Sequence, residues 1–408
     1  MRRSVAVIII LALVASATLL GWWRPFRPGL RTQGTNVVLI IGCSVRKDQL
    51  SPYGGHADVT PSLRSATRRG ALFVDAVTAA VHTTPSTAAI LTGHHPVGPE
   101  PLLPDLPTLA ERFRAAGYTT HGGTAHVDAG AAFGFDRGFD PYVDASGGDG
   151  RGAPGSPVID EVLDQVRARR AGPPAFIQVL LADAHAPRNP SPLLARLFVD
   201  EVDLAPTIGP YRAAVHRFDQ AVARLAVGLE GLGYDTTNTV FVVVSDHGEG
   251  LDHPKGHGHG YGASTLASAT AMPWIAWGSG IAWGQVVEGL ASQVDVAPTI
   301  LGLVGVNGYA GPGKDWSAQL RGESKRTTRD HAYAVAWSPE GARAAVFTAT
   351  RSCHVPVGDE PFRDNPGVTC FDRLADPLEA FPLPTPDTML LEQLEGWMAV
   401  QGAETTVP

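Results

Sequence analysis

Apolar residues in this chain fall into short unbroken runs, and between the runs they recur at helical spacing. Asn36-Val-Val-Leu-Ile-Ile-Gly42, Ala175-Phe-Ile-Gln-Val-Leu-Leu-Ala182 and Thr239-Val-Phe-Val-Val-Val-Ser245 are the clearest runs. A strand that is apolar on both sides belongs inside a parallel sheet covered on both faces. Thr60 and Pro61 give a cap and a first-turn proline for a helix running to Gly70. Leu106–Tyr118, Val158–Arg170 and Tyr211–Leu232 carry apolar residues at helical spacing, and Gly117 and Gly233 supply stops. Strands alternating with helices predict an α/β fold with a mainly parallel central sheet flanked by helices. Past Gly308 the pattern shifts. Ala332 to Ala349 alternates like strand, and Phe371–Pro377 follows, predicting a smaller C-terminal α+β subdomain. Residues 145–157 are rich in Gly, Ser and Pro and read as a loop.

The N-terminus adds a compartment. Arg2 and Arg3 precede an uncharged run from Ser4 to Trp23, and Arg24 follows it. About 20 apolar residues span a bilayer as a helix. Positive charge ahead of the run keeps that end cytoplasmic and exports the rest. Ala15-Ser-Ala17 offers a signal-peptidase site as the alternative, but the run stays apolar beyond it, which favours a retained transmembrane anchor. The expected order is therefore an anchor or signal peptide (1–23), a linker (24–35), a main domain (36–306) and a C-terminal subdomain (307–408). The protein is expected on the membrane, facing the periplasm or cell surface. A net charge of −8 suggests no nucleic-acid groove. Of the three cysteines, Cys353 and Cys370 are near neighbours in sequence. They are a disulfide in an oxidising compartment or two buried thiols.

Chemistry gathers where the strands end, the edge at which open α/β sheets place their sites. Gly42-Cys43-Ser44, Asp183-Ala-His185 and Asp246-His247-Gly-Glu249 each follow a predicted buried strand. A carboxylate beside an imidazole, as in Asp246-His247, suits Zn²⁺ or Mn²⁺. The stretch Val81–Gly93 reads as a polar turn opening into a helix near Pro85 and Ser86, with the hydroxyls of Thr83 and Thr84 just before it. A helix start is a place for an anion. His253-Pro-Lys-Gly-His257-Gly-His259-Gly260 is a histidine-dense loop.

These phrases, in this order, resemble the sulfatase family of the alkaline phosphatase superfamily. Its signature, Cys-x-Pro-Ser-Arg followed by Leu-Thr-Gly, is matched at Pro85, Ser86, Leu91, Thr92 and Gly93, with Thr83 in the cysteine's place and Thr87 in the arginine's. Arg46, Asp48, Leu50, Tyr53 and Gly54 match the phrase after the first strand, where Cys43 stands in place of a metal-binding aspartate. Asp183-Ala-His185-Ala-Pro187, Asp246-His-Gly-Glu249 and Asp295, Pro298 and Thr299 match further phrases. The family's lysine after Gly-Tyr-x-Thr is absent; Ala125 lies near that place, with His126 beside it. The likeness runs from about Asn36 to Gly305 and returns faintly at Asp372–Pro377.

The resemblance implies an alkaline-phosphatase-like fold and a divalent metal (Zn, Mn or Ca) held by Cys43, Asp246 and His247. It implies catalytic roles for Thr83, His185 and His259, and substrate contacts from Ser86, His126 and His257. The substrate would be a sulfate or phosphate ester. A sulfatase oxidises its cysteine to formylglycine, a route closed to threonine, whereas related phosphoester-cleaving enzymes use a metal-bound threonine directly. Thr83 therefore shifts the expected chemistry toward phosphate. Each position has a plainer reading as well: Thr83 as a helix cap, Cys43 as a small buried hydrophobe. Departures at Cys43, Thr83, Thr87 and Ala125 together point to the alternative, a non-catalytic protein that binds an anionic envelope component or a protein partner.

Overall fold

The computed structural model describes residues 34–99, 106–146, 155–169, 172–188, 190–199, 207–251, 264–323, 327–339, 341–358 and 360–401. The expected anchor at 4–23 lies outside the described residues, as do His257 and His259. Among the described residues no helix is long and apolar enough to cross a membrane.

The three apolar runs form the centre of a large sheet. β1 (Asn36–Gly42) is followed in the chain by β2 (Gly70–Val77), β3 (Thr119–Thr124), β4 (Tyr142–Asp144), β5 (Ala175–Leu181), β6 (Thr239–Ser245), β7 (Trp274–Gly278) and β8 (Gln285–Ser292). The eight strands lie in the order β4-β3-β5-β1-β6-β7-β2-β8. β1 runs parallel to both β5 and β6, and every residue of these three strands is buried. That burial is why their sequences lack polar alternation. β7 is the antiparallel member, between β6 and β2. The sheet is therefore mixed and mainly parallel.

Helices cover it: α1 (Pro61–Arg68), α2 (Thr83–Thr92), α3 (Leu109–Ala115), α4 (Ser156–Ala168), α5 (Ile208–Glu230) and α6 (Val296–Val304). α3 is shorter than its apolar spacing suggests, because Thr108 and Glu111 close a reciprocal capping box at its start. α5 buries Tyr211, Val215, Phe218, Val222, Leu225 and Leu229 along one stripe. Phe218 packs so tightly under the end of β1 that a Cβ on Gly42 would sit 2.9 Å from its ring. Only glycine fits where the strand turns toward Cys43.

A second, four-stranded antiparallel sheet lies in the C-terminal part. It contains β9 (Ala332–Ser338), β10 (Gly341–Phe347), β11 (Arg351–Val357) and β12 (Thr369–Asp372), ordered β12-β11-β10-β9, with α7 (Thr388–Gln401) against it. The alternating stretch 332–349 is thus a hairpin. Cys353 and Cys370 face each other across β11 and β12 and form the expected disulfide, with Cα atoms 4.1 Å apart. The two sheets meet at the chain leading into α2. Val81 N–H donates to Val335 O, and Val335 N–H donates to Ala79 O, at 3.2 and 3.1 Å. Arg373 adds an ion pair to Asp75 of β2.

Candidate functional site

Four chain segments converge at the C-terminal ends of β1 and β6. Beyond β1 the ladder runs on for one step each way: Cys43 N–H donates to Leu181 O, and Asp246 N–H to Gly42 O. Ser44 then takes a left-handed turn (φ 59°), which aims its N–H at Asp246 Oδ1, 2.9 Å away. Tyr211 holds this turn, donating to Ser44 O and accepting from Arg46 N–H. The Arg46 guanidinium bonds Asp48 and the carbonyl of Glu249. Burial pushes the Asp48 carboxyl up, but the adjacent Arg46 outweighs it and holds the group below its ordinary range. Arg46 and Asp48 are thus the brace of the site rather than its chemistry.

Cys43, Thr83, Asp246 and His247 come together, with no more than 4% exposure each. Cys43 Sγ lies 3.4 Å from Thr83 Oγ1, Thr83 Oγ1 lies 3.5 Å from His247 Nε2, and His247 Nε2 lies 3.4 Å from Asp246 Oδ2. Backbone contacts decide what each group offers. Asp246 Oδ1 accepts two N–H groups, from Ser44 and His247. His247 Nδ1 faces the carbonyl of Gly248 at 2.8 Å. A carbonyl only accepts, so this contact assigns the proton to Nδ1 and leaves a lone pair on Nε2 of the neutral ring. Two acceptors, that lone pair and Asp246 Oδ2, then face each other, an arrangement that a cation between them satisfies. Ligands about 2.0–2.3 Å from a tetrahedral zinc ion stand roughly 3.3–3.8 Å apart, and the three measured separations fall in that range. The residues present fit a four-coordinate divalent metal.

Thr83 is the first residue of α2, which begins two residues before Pro85, so its hydroxyl sits in the helix's first turn rather than ahead of it. His82 at the cap position is extended.

His126 and His185 form the other half. Their Nε2 atoms are 3.3 Å apart, and each offers a nitrogen within 4.8 Å of Cys43 Sγ. His126 Nδ1 accepts the backbone N–H of Asp128, so in the neutral ring its proton is on Nε2, directed at His185. Burial, then the neighbouring His126 and His247, push the His185 imidazole down to about 4. His185 is therefore neutral near pH 7, and His126, in its neutral form, presents an N–H.

Ser86 also lies here, but its hydroxyl is held among the carbonyls of Ala80 and Asp246 and the side chain of Gln293. Gln293 donates to Asp246 O at 2.6 Å and accepts from Ala79 N–H at 2.9 Å, and Thr78 completes the knot. Ser44, Gln293 and Asp128 therefore shape the site although nothing in their side chains advertises it. A polar residue amid the apolar 286–303 stretch was the available signal for Gln293. Thr87 and Ala125 are both buried, so no basic side chain stands at either place.

Residues 35–306 match the family model described as Sulfatase. The N-acetylgalactosamine-6-sulfatase of Rattus norvegicus is 26% identical over 338 residues, 67% of this chain and 63% of that protein. The steryl-sulfatase of the same species is 29% identical over 223 residues, 44% of this chain and 37% of that protein. The chain thus matches less than two thirds of the length of these curated relatives. Among solved structures, one holding its substrate D-glucosamine-2-N,6-O-disulfate has a TM-score of 0.75 at 16% identity, covering 91% of this chain and 99% of that one. A putative sulfatase from Bacteroides fragilis has a TM-score of 0.72 at 15% identity, covering 92% and 98%. The structures agree in fold, and the match of the family model over 35–306 fixes the kinship: the chain belongs to the sulfatase family.

Proposed function

We propose that this protein is a metal-dependent hydrolase of sulfate or phosphate esters, acting outside the cytoplasm, with Thr83 as nucleophile. The observation that carries the reading is the convergence of Cys43 Sγ, Thr83 Oγ1, Asp246 Oδ2 and His247 Nε2 on the edge of the sheet, with successive separations of 3.4–3.5 Å. One carboxylate, one hydroxyl, one thiol and one imidazole favour a zinc-like ion over calcium, which takes six to eight oxygens. When bound, such an ion would lower the pKa of the Thr83 hydroxyl and offset charge on the ester oxygens. The amino end of α2 supports the anion from the same side. Thr83 Oγ1, its proton released to solvent, bonds to the phosphorus or sulfur, and the bond from that atom to the bridging ester oxygen breaks. The bridging oxygen takes its proton from solvent, and His126 Nε2–H is placed to hydrogen-bond an ester oxygen. Water then displaces the anion from Thr83. The disulfide between Cys353 and Cys370 supports an oxidising compartment, and the family relatives support sulfate esters as one substrate class.

The test is turnover of an aryl sulfate, an aryl phosphate and an aryl phosphodiester with added Zn²⁺ or Mn²⁺, alongside the metal content of the purified protein. Loss of all turnover in Thr83→Ala is the expected result. The buried, uncharged Thr87 and Ala125 favour a second reading, a site that binds an anionic envelope component or a protein partner without turning it over. Native protein that holds no metal and cleaves none of the three esters would overturn the hydrolase reading and leave this one standing.

A further inference from the structure

Behind the site, at the junction of the two sheets, lies a buried polar cluster. Thr265, Ser352, His354 and Glu379 are each no more than 5% exposed. Ser352 and His354 flank the disulfide cysteine on β11 and, two residues apart on a strand, share a face. Both reach Glu379: Ser352 Oγ donates to its Oε1 at 2.5 Å, and His354 Nε2 lies 3.3 Å from its Oε2. The other ring nitrogen, His354 Nδ1, is 2.9 Å from Thr265 Oγ1. Glu379 Oε2 also accepts the N–H of Ala267, at 2.7 Å. Glu379 itself is one of two described non-glycine residues with positive φ (56°), a conformation that persists only where its surroundings hold it.

The turn that this cluster grips, residues 265–271, is the surface on which the metal-type loop hangs. Gly248 N–H donates to Ala269 O at 2.7 Å, and Glu249 N–H to Ser268 O at 3.0 Å. The approach is so close that a Cβ on Gly248 would fall 2.0 Å from Ser268 O. Thr78 N–H, ahead of α2, donates to Thr270 O at 2.9 Å. One turn thus positions both Asp246-His247 and the lead-in to Thr83. Burying a carboxylate among polar partners is costly and adds little stability compared with apolar packing, so its use here is better explained by the register it fixes.

We infer that Thr265, His354 and Glu379 are positioning residues: through the 265–271 turn, the C-terminal sheet sets the place of the Asp246-His247 loop. The functional consequence rests on the proposed hydrolase reading, but the positioning itself is read without turnover.

The experiment is hydrogen–deuterium exchange of the full-length protein, followed at the peptide spanning 246–250. Thr265→Val removes the hydroxyl on His354 while keeping the side chain's shape, and Glu379→Gln removes the charge. Both are expected to speed exchange of the Gly248 and Glu249 amides by about ten-fold. Thr265→Ser keeps the hydroxyl and is expected to exchange like the native chain. Arg373→Ala cuts the ion pair that joins the two sheets through Asp75, without touching the turn, and is expected to leave 246–250 unchanged. If turnover is present, Thr265→Val is expected to lower kcat at constant KM. Native exchange at 246–250 in Thr265→Val would overturn the inference, and so would equal acceleration in Arg373→Ala, which would make the cluster a general tie between sheets. Should Glu379→Gln fail to fold, the Thr265→Val and Thr265→Ser pair decides alone.

Discussion

His247 and His126 each bring a ring nitrogen within 4.8 Å of Cys43 Sγ, and each is fixed by one backbone group. His247 gives its Nδ1 proton to a carbonyl and so turns a lone pair inward; His126 takes an N–H on Nδ1 and so turns a proton inward. The same side chain thus offers a lone pair suited to a metal in one case and a hydrogen-bond donor in the other. Which role a histidine plays here is decided by the peptide unit behind it, a contact that no alignment of side chains displays. Cys43 lies within ligand distance of both halves, so the tautomers determine which half takes a cation.

The largest effect expected from this division is at Asp246. Asp246→Ala should strip the metal, measured by elemental analysis after dialysis, and lower turnover by about 10³-fold or more. Thr83→Ala should abolish turnover to a similar degree, yet leave most of the metal bound. Metal loss in Thr83→Ala equal to that in Asp246→Ala would show the hydroxyl to be an indispensable ligand. His126→Ala should lower turnover by about 10²-fold with metal content unchanged. If that variant sheds its metal, the contrast between the two histidines collapses, and the cation belongs to Cys43, His126 and His185.

The smallest effect touches only the His247 side, through its brace. Burial pushes Glu379 up, but His354 and the bonds from Ser352 and Ala267 outweigh this and hold the carboxyl below its ordinary value of 4.5. A depressed carboxyl contributes stability that is present above its unfolded-state pKa and lost as pH falls through the folded-state value. Glu379→Gln should therefore cost about 1–3 kcal/mol at pH 7. In denaturant melts, that gap should close as the pH drops below about 4. A gap that persists undiminished to pH 3 would contradict this account of the pair.

The central strands were legible because burial on both faces leaves an unbroken apolar run, as in β1, β5 and β6. Asp246 and His247 were legible because they end such a run. β7 was not: Trp274–Gly278 looks like its parallel neighbours, and direction within a sheet leaves no mark on a buried strand. The hairpin inside 332–349 was signalled by Pro339 and Gly341 between its two apolar stretches, although the whole run reads as strand on alternation alone. In the site, the pairing of His126 with His185 joins positions 59 residues apart, and the bond from Ser44 N–H to Asp246 spans 202. Ser86 was legible as part of a signature but not as a strut, since two of its oxygen neighbours, Asp246 O and Gln293 Oε1, come from distant segments.

The clamp of β9 on the approach to α2 has a consequence for biosynthesis. β1 finds its second neighbour, β6, only after some two hundred residues have left the ribosome, and Val335 reaches Ala79 later still. Contacts so distant in sequence form late. An emerging chain would own a nearly complete sheet while the segment bearing Thr83 still lacked its anchor and Glu379 had yet to be translated. Nascent chains stalled before residue 332 are therefore expected to shield the core from protease while leaving the 78–92 segment open to cutting.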